Sequence, residues 1–131
     1  MKFQDYEYNR PEAEEVRAKY DRLLPLIEQA ENAKEQIAAV DELMELRREL
    51  YSMREIVKIR YTLNTADEFY RKEDAFWAEF NPVWSALDAK FYQILKASRF
   101  MEELKERYSP QFFNLLDCNR DVFSEEIVED I

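Results

Sequence analysis

The chain contains no glycine and no histidine among its 131 residues. At an average usage near 7%, a chain of this length would carry roughly nine glycines. Glycine normally supplies positive-φ turns and the left-handed C-caps of helices. Without it, the chain is expected to form helices that are joined at proline and asparagine breaks. The absence of histidine also removes the ordinary base at neutral pH and the commonest metal ligand.

Composition favours one acidic helical domain over residues 1–131. Apolar residues make up 47% of the chain and aromatic residues 15%, which is enough for a core and argues against disorder. The net charge of −10 disfavours nucleic acid and anionic membranes, since both require a basic surface. The single cysteine, Cys118, cannot form an internal disulfide. With no signal peptide and no run of about 18 apolar residues, a cytoplasmic protein without a membrane or nucleic-acid partner is expected.

The spacing of apolar residues predicts an all-α fold, an elongated antiparallel helical bundle. It has two long helices, over about 11–31 and 33–61. A kinked or broken pair over 65–80 and 82–97 follows, and short C-terminal helices complete the bundle. We expect residues 1–9 to form an extended arm that docks through its aromatic side chains.

Helix caps and prolines set the expected boundaries. Pro11 suits the first position of a helix, where its missing N–H is not needed. Asn32 and Thr65 are each followed three residues later by glutamate, which is typical of a capping box. Pro25 and Pro82 fall inside helical patterns, and we expect each to kink or break its helix because proline removes one backbone hydrogen bond.

No group of residues predicts a catalytic or metal site. Asp117, Asn119 and Asp121 imitate three positions of a calcium loop, but Val122 stands where the loop requires glycine and Val128 where it requires glutamate. A turn at a helix end is the better interpretation. Di-iron bundles, serine triads and zinc hydrolase motifs all need histidine. We therefore assign no catalytic residue, no metal ligand and no cofactor to this chain.

Charge is distributed unevenly between the first two helices. Five basic and two acidic residues lie from Arg47 to Arg60, whereas six acidic and three basic residues lie from Glu12 to Glu31. The favoured interpretation is complementary packing with solvated charges, each pair contributing little. The alternative is a basic surface that faces a peptide carboxylate or an acidic partner.

One carboxylate falls on an apolar stripe. Glu73 lies between Phe69 and Phe76 on the predicted inner face of the third helix, and a carboxylate at such a place needs a cation or hydrogen-bond donors. Arg60, on the preceding helix, is the candidate partner in a structural ion pair.

A long string at the junction of the second and third helices resembles the N-terminal region of oligoendopeptidase F-type zinc metallopeptidases, which belong with the thimet-oligopeptidase-like enzymes. The residues that carry this resemblance are Ile59-Arg60-Tyr61-Thr62-Leu63-Asn64-Thr65-Ala66-Asp67-Glu68-Phe69-Tyr70, then Glu73, Phe76, Trp77, Glu79 and Pro82. Further matches are Phe3, Asp5, Tyr6, Arg10-Pro11, Leu46-Arg47, Phe91-Tyr92, Glu102-Glu103-Leu104 and Phe123-Ser124-Glu125-Glu126-Ile127. The resemblance covers essentially the whole chain.

This resemblance implies a large, mostly helical peptidase with a deep channel that admits short peptides. Its zinc would be held by His-Glu-x-x-His and a distant glutamate, all downstream of this region. The chain would then be an N-terminal domain that lines one side of the substrate channel, partners the catalytic domain of the same polypeptide and is inactive alone. The alternative is a free-standing helical module for protein interaction or scaffolding.

The interpretation as a fragment also predicts an uncovered apolar surface. We expect an exposed aromatic patch drawn from Phe112, Phe113, Phe123 and the Trp77–Trp84 region, because one face of the bundle would lack its natural cover. Such a patch could make the isolated chain dimerise.

Overall fold

Helices dominate the computed structural model, which describes residues 7–108. In chain order they are α1 (Ala13–Glu28), α2 (Ala33–Leu63), α3 (Glu68–Lys96) and α4 (Met101–Arg107). Residues 7–108 contain no β-strand, so the predicted all-α class is confirmed for this part of the chain. The predicted helices after residue 109, the turn around Asp117 and the thiol of Cys118 lie outside the described residues.

Side-chain contacts define how the three long helices run. Arg22 pairs with Glu42 and Gln36 donates to the Ile27 carbonyl, so α1 and α2 are antiparallel. Arg47 pairs with Asp88 and Arg60 donates to the Tyr70 hydroxyl, so α2 and α3 are also antiparallel. The short α4 returns to the first half of α2, where Arg107 pairs with Asp41. The predicted antiparallel bundle is confirmed for these helices.

Side-chain caps mark the starts of α2 and α3, whereas α1 has none and begins at Ala13, two residues after the predicted start at Pro11. The Asn32 side chain accepts a hydrogen bond from the Glu35 amide at 2.9 Å, which confirms the predicted cap of α2. The predicted cap of α3 is wrong, because Asp67 rather than Thr65 accepts from the amides of Phe69 and Tyr70. An Asp at the N-cap fills the same role two residues later and adds a negative charge at the positive end of the helix dipole.

Neither internal proline divides a helix. α1 continues through Pro25 to Glu28, and Pro25 stands in its last turn. Of the two outcomes expected at Pro82, a kink or a break, the structure excludes the break, since α3 is one helix of 29 residues with Pro82 inside it. Two positions before and two after Pro82, α3 has buried aromatic residues, Phe80 at 4% and Trp84 at 5% exposure. We attribute the continuity of α3 to this packing, which offsets the loss of one backbone hydrogen bond.

One apolar core joins all four helices. Its fully enclosed side chains are Tyr20, Leu23, Ile27, Val40, Leu43, Leu50, Val57, Phe91, Leu95 and Leu104. Trp77 and Trp84 are buried as well, so the predicted exposed patch is wrong for that region, while its remaining members lie beyond residue 108. None of the helices between residues 7 and 108 is both long and apolar enough to cross a membrane.

Candidate functional site

A buried carboxylate attaches the chain before α1 to the first half of α3. Glu73 is only 4% exposed. Its Oε1 accepts hydrogen bonds from the Tyr8 hydroxyl at 2.7 Å and from Arg10 Nε at 2.8 Å, and its Oε2 accepts from Arg10 Nη2. The Trp77 indole N–H donates to the Tyr8 hydroxyl at 3.2 Å. We call Tyr8, Arg10, Glu73 and Trp77 the Glu73 cluster.

Hydrogen bonding keeps Glu73 ionised in this cluster. The bonds from Arg10 lower the pKa of Glu73 below its ordinary value, against the opposing effect of burial. Burial, followed by the hydrogen bond to Glu73, raises the pKa of Tyr8, so the phenol stays protonated and donates. The docking of Tyr8 agrees with the expected aromatic arm, although residues 1–6 lie outside the described part.

The partner predicted for Glu73 differs from the one in the structure. Glu73 is buried and bound to a cation, as its position on an apolar stripe indicated, but the cation is Arg10 rather than Arg60. Arg60 donates instead to the Tyr70 hydroxyl at 2.6 Å, with its guanidinium 5.6 Å from the Tyr70 ring centre. Arg10 lies before α1 and 63 residues from Glu73, so helix spacing alone could not indicate this contact.

A second buried carboxylate joins α1, α2 and α3. The hydroxyl of Tyr20 on α1 donates to Asp88 Oδ1. Arg47 Nε on α2 lies 3.0 Å from Asp88 Oδ1 and 3.2 Å from Oδ2, while its Nη2 donates to the Tyr92 hydroxyl. The Trp84 indole N–H donates to the Tyr20 hydroxyl at 3.1 Å. We call these five residues the Asp88 cluster.

Burial and charge act against each other in the Asp88 cluster. Burial raises the pKa of Asp88, and the nearby Arg47 charge only partly opposes it. Burial and the Asp88 carboxylate both raise the pKa of Tyr20. Every buried side-chain nitrogen or oxygen in the described residues has a hydrogen-bond partner, so the cluster meets the requirement for burying charge without leaving groups unsatisfied.

An arginine beside the Asp88 cluster rests on two aromatic rings. The guanidinium carbon of Arg54 lies 4.6 Å from the ring centre of Tyr51 and 5.0 Å from that of Trp84. These residues line a surface groove of about 260 Å³ together with Arg47, Ser85, Asp88 and Tyr92. We call it the Arg54 groove. Tyr51 and Trp84 also line an adjoining groove of about 320 Å³.

The described residues do not form a metal site. No group of three or more histidine, cysteine, aspartate or glutamate side chains between residues 7 and 108 is placed to hold a metal ion, and the whole chain lacks histidine. The zinc ligands implied by the family resemblance therefore do not fit this chain. What the geometry provides is two polar clusters that fix the positions of three helices.

The family model of the Peptidase M3 N-terminal domain matches residues 3–123. This match spans nearly the whole chain, including both polar clusters and the Arg54 groove. The chain therefore belongs to the Peptidase M3 N-terminal domain family. No curated protein sequence matches it closely enough to extend this comparison.

Solved structures of similar chains support the same assignment. A Pz peptidase A with a bound inhibitor is 35% identical, with a TM-score of 0.88 over 98% of this chain. A protein from Bacillus anthracis strain Ames that is assigned as an oligoendopeptidase F is 36% identical, with a TM-score of 0.88 over 99% of this chain. This chain covers 23% of the first protein and 24% of the second. It thus corresponds to about a quarter of each of these proteins.

Proposed function

We propose that this chain lines one side of the substrate channel in a zinc metallopeptidase that hydrolyses short peptides. The observation that carries the proposal is the match of residues 3–123 to the Peptidase M3 N-terminal domain. The structural likeness to an inhibitor-bound Pz peptidase A over 98% of this chain supports it. We further propose that the peptidase is cytoplasmic.

The packing of the helices suits such a structural role. A channel that excludes folded proteins must keep its width, so its side must resist deformation. The Asp88 cluster connects α1, α2 and α3 through hydrogen bonds between Tyr20, Arg47 and Asp88. The Glu73 cluster attaches the segment before α1 to α3. Ion pairs of this kind are position-specific, because a displaced helix would leave a buried charge without its partner.

The reactive groups of the proposed peptidase would belong to the remainder of the polypeptide. Zinc there would activate a water molecule for attack on the peptide bond. This chain would contribute the shape of the channel and the contacts that hold the peptide. Its main partner would be the catalytic domain of the same polypeptide.

Photocrosslinking in the full polypeptide tests this proposal. The open reading frame that encodes this chain is expressed whole, and a photoreactive amino acid is placed in turn at exposed positions of α1, α2 and α3. We expect a short peptide substrate to crosslink at neighbouring positions on one face and not on the opposite face. We also expect the short peptide to be cleaved, while the same sequence inside a folded protein is not.

Two results would contradict the proposal. One is an absence of crosslinks from every face of the helices during turnover of the peptide. The other is a reading frame that stops at Ile131, which would favour the free-standing interaction module instead.

A further inference from the structure

We propose that the Arg54 groove binds a carboxylate of the peptide substrate, with the Arg54 guanidinium as the recognition group. This inference rests on the proposed function, and it adds that the face carrying the Arg54 groove is the one that meets the peptide. The carboxylate is the C-terminal one of a short peptide. Arginine is suited to this task because its planar fork presents parallel N–H donors to both oxygens of a carboxylate.

Two aromatic rings hold the Arg54 side chain in place, and no carboxylate of the described residues forms a short ion pair with it. Its guanidinium contacts Tyr51 and Trp84, whose rings lie edge to face at 78°, and these contacts restrict the side chain before any ligand binds. Among the described residues, its nearest carboxylate contact is a long one, 3.9 Å from Nε to Glu55 Oε1. Its contact with Asn81 Oδ1 is 3.5 Å, at the outer limit of a hydrogen bond. Donors of the guanidinium are therefore available to a stronger acceptor.

The charged residues that line the groove itself, Arg47, Arg54 and Asp88, leave one positive charge in excess, and Glu55 lies outside this lining. Asp88 lines the groove, but both of its oxygens accept from Arg47, so this pair contributes little net charge. Arg54 adds a positive charge beside the pair, with 29% of its side chain exposed. Tyr51 is 56% exposed and offers an apolar surface beside the cation for the last side chain of a peptide.

The net charge of the whole chain favours a short peptide over an acidic protein as the ligand of the Arg54 groove. At a net charge of −10, the domain repels a strongly acidic macromolecule at long range. A short peptide that carries one carboxylate experiences little of this repulsion and gains the local attraction of Arg54. The groove of about 260 Å³ also suits the end of a peptide rather than an extended protein surface.

The two tryptophans of the chain provide a direct binding assay by NMR. A short neutral peptide with a free C-terminal carboxylate is added to the ¹⁵N-labelled 131-residue chain, and the two indole N–H signals are followed. Substitution of Trp77 by Phe assigns them. We expect the Trp84 signal to shift in a saturable way while the Trp77 signal stays in place, because only Trp84 lines the groove.

Two comparisons separate carboxylate recognition from general peptide binding. The amidated form of the same peptide should bind about tenfold more weakly, because it lacks the charge-assisted hydrogen bonds. Arg54→Gln should weaken binding of the free acid by a similar factor. Arg22→Gln is the control, since Arg22 is an exposed arginine paired with Glu42 that lines neither groove, and it should leave the affinity unchanged.

Specific outcomes would overturn the inference. Equal binding of the acid and the amide, equal loss in Arg54→Gln and Arg22→Gln, or no shift of the Trp84 signal would each do so. The Trp77 signal of Arg54→Gln checks that the variant is folded. Failure of this assay leaves the channel proposal intact, because crosslinking in the full polypeptide tests that proposal without requiring a contact at Arg54.

Discussion

The hydroxyl of Tyr20 on α1 donates a hydrogen bond to the carboxylate of Asp88 on α3, 68 residues further along the chain. The same hydroxyl accepts from the indole N–H of Trp84 at 3.1 Å. Tyr20 is fully buried and Asp88 is 7% exposed. One phenol thus satisfies two buried polar groups and connects the first and third helices.

Removal of this hydroxyl should destabilise the chain. Tyr20→Phe leaves the Trp84 indole N–H without its acceptor and Asp88 with one donor fewer, which costs about 1 to 3 kcal/mol for buried groups. The check is the urea midpoint of unfolding, with an unchanged m value. Tyr51→Phe is the control, because Tyr51 is 56% exposed and should change stability by less than about 0.5 kcal/mol. Equal effects of the two substitutions would show that the hydroxyl of Tyr20 contributes nothing specific.

Double-mutant cycles should identify the cation that stabilises Glu73. Glu73→Gln and Arg10→Gln remove opposite sides of one ion pair, so their effects on unfolding should be non-additive by about 1 kcal/mol. The coupling is moderate because Arg10 is half exposed and solvent screens its charge. Glu73→Gln and Arg60→Gln should be additive, since Arg60 donates to Tyr70. The reverse pattern of coupling would restore Arg60 as the partner of Glu73.

The contribution of Glu73 to the free energy of unfolding should decrease as the pH falls. The hydrogen bonds from Arg10 lower the pKa of Glu73 in the folded chain. The folded state therefore binds fewer protons than the unfolded state as the pH approaches this pKa from above. The stabilisation is complete above the ordinary glutamate pKa of about 4.3 and is lost as the pH falls through the folded value.

This pH effect is measured as the difference in the free energy of unfolding between the wild-type chain and the Glu73→Gln variant. The difference in free energy of unfolding should be constant near neutral pH and shrink below about pH 4. The raised pKa of Asp88 changes stability in the opposite direction, but it is common to both chains and cancels. A difference that grows on acidification would show that the pKa of Glu73 is raised on folding.

Replacement of the proline inside α3 should stabilise the chain. Pro82→Ala restores the missing N–H, and it should raise the free energy of unfolding by about 1 to 2 kcal/mol after the entropy gained by the unfolded chain is deducted. Pro25→Ala is the comparison and should give a smaller gain, because Pro25 stands in the last turn of α1. Chemical unfolding measures both. A destabilised Pro82→Ala would mean that α3 requires the proline geometry.

Features of local origin were predictable from the sequence. The capping interaction between Asn32 and Glu35 involves neighbouring residues, and the apolar spacing determines which face of each helix is buried. The sequence left a kink or a break open at Pro82, and it could not exclude the break because tertiary packing overrides local propensity. Phe80 and Trp84 both enter the core, so the helix continues despite the missing hydrogen bond.

The polar clusters were only partly predictable. The position of Glu73 on an apolar stripe predicts its burial, but its partner Arg10 comes from outside the helices, and no helical period relates them. Asp88 was not among the predicted site residues. A signal for it exists, because Asp88 lies four residues after Trp84 and three before Phe91, which places it on the same buried face. The identity of its partners depends on how three helices pack, which periodicity does not specify.

The central claim is that this chain is the supporting N-terminal domain of a peptidase whose reactive groups lie elsewhere in the polypeptide. The most direct test is hydrolysis of a quenched fluorescent short peptide by the purified 131-residue chain with added zinc, beside the full polypeptide. We expect chelator-sensitive cleavage by the full polypeptide and none by this chain above the buffer background. Zinc-dependent cleavage by the 131-residue chain alone would contradict the account.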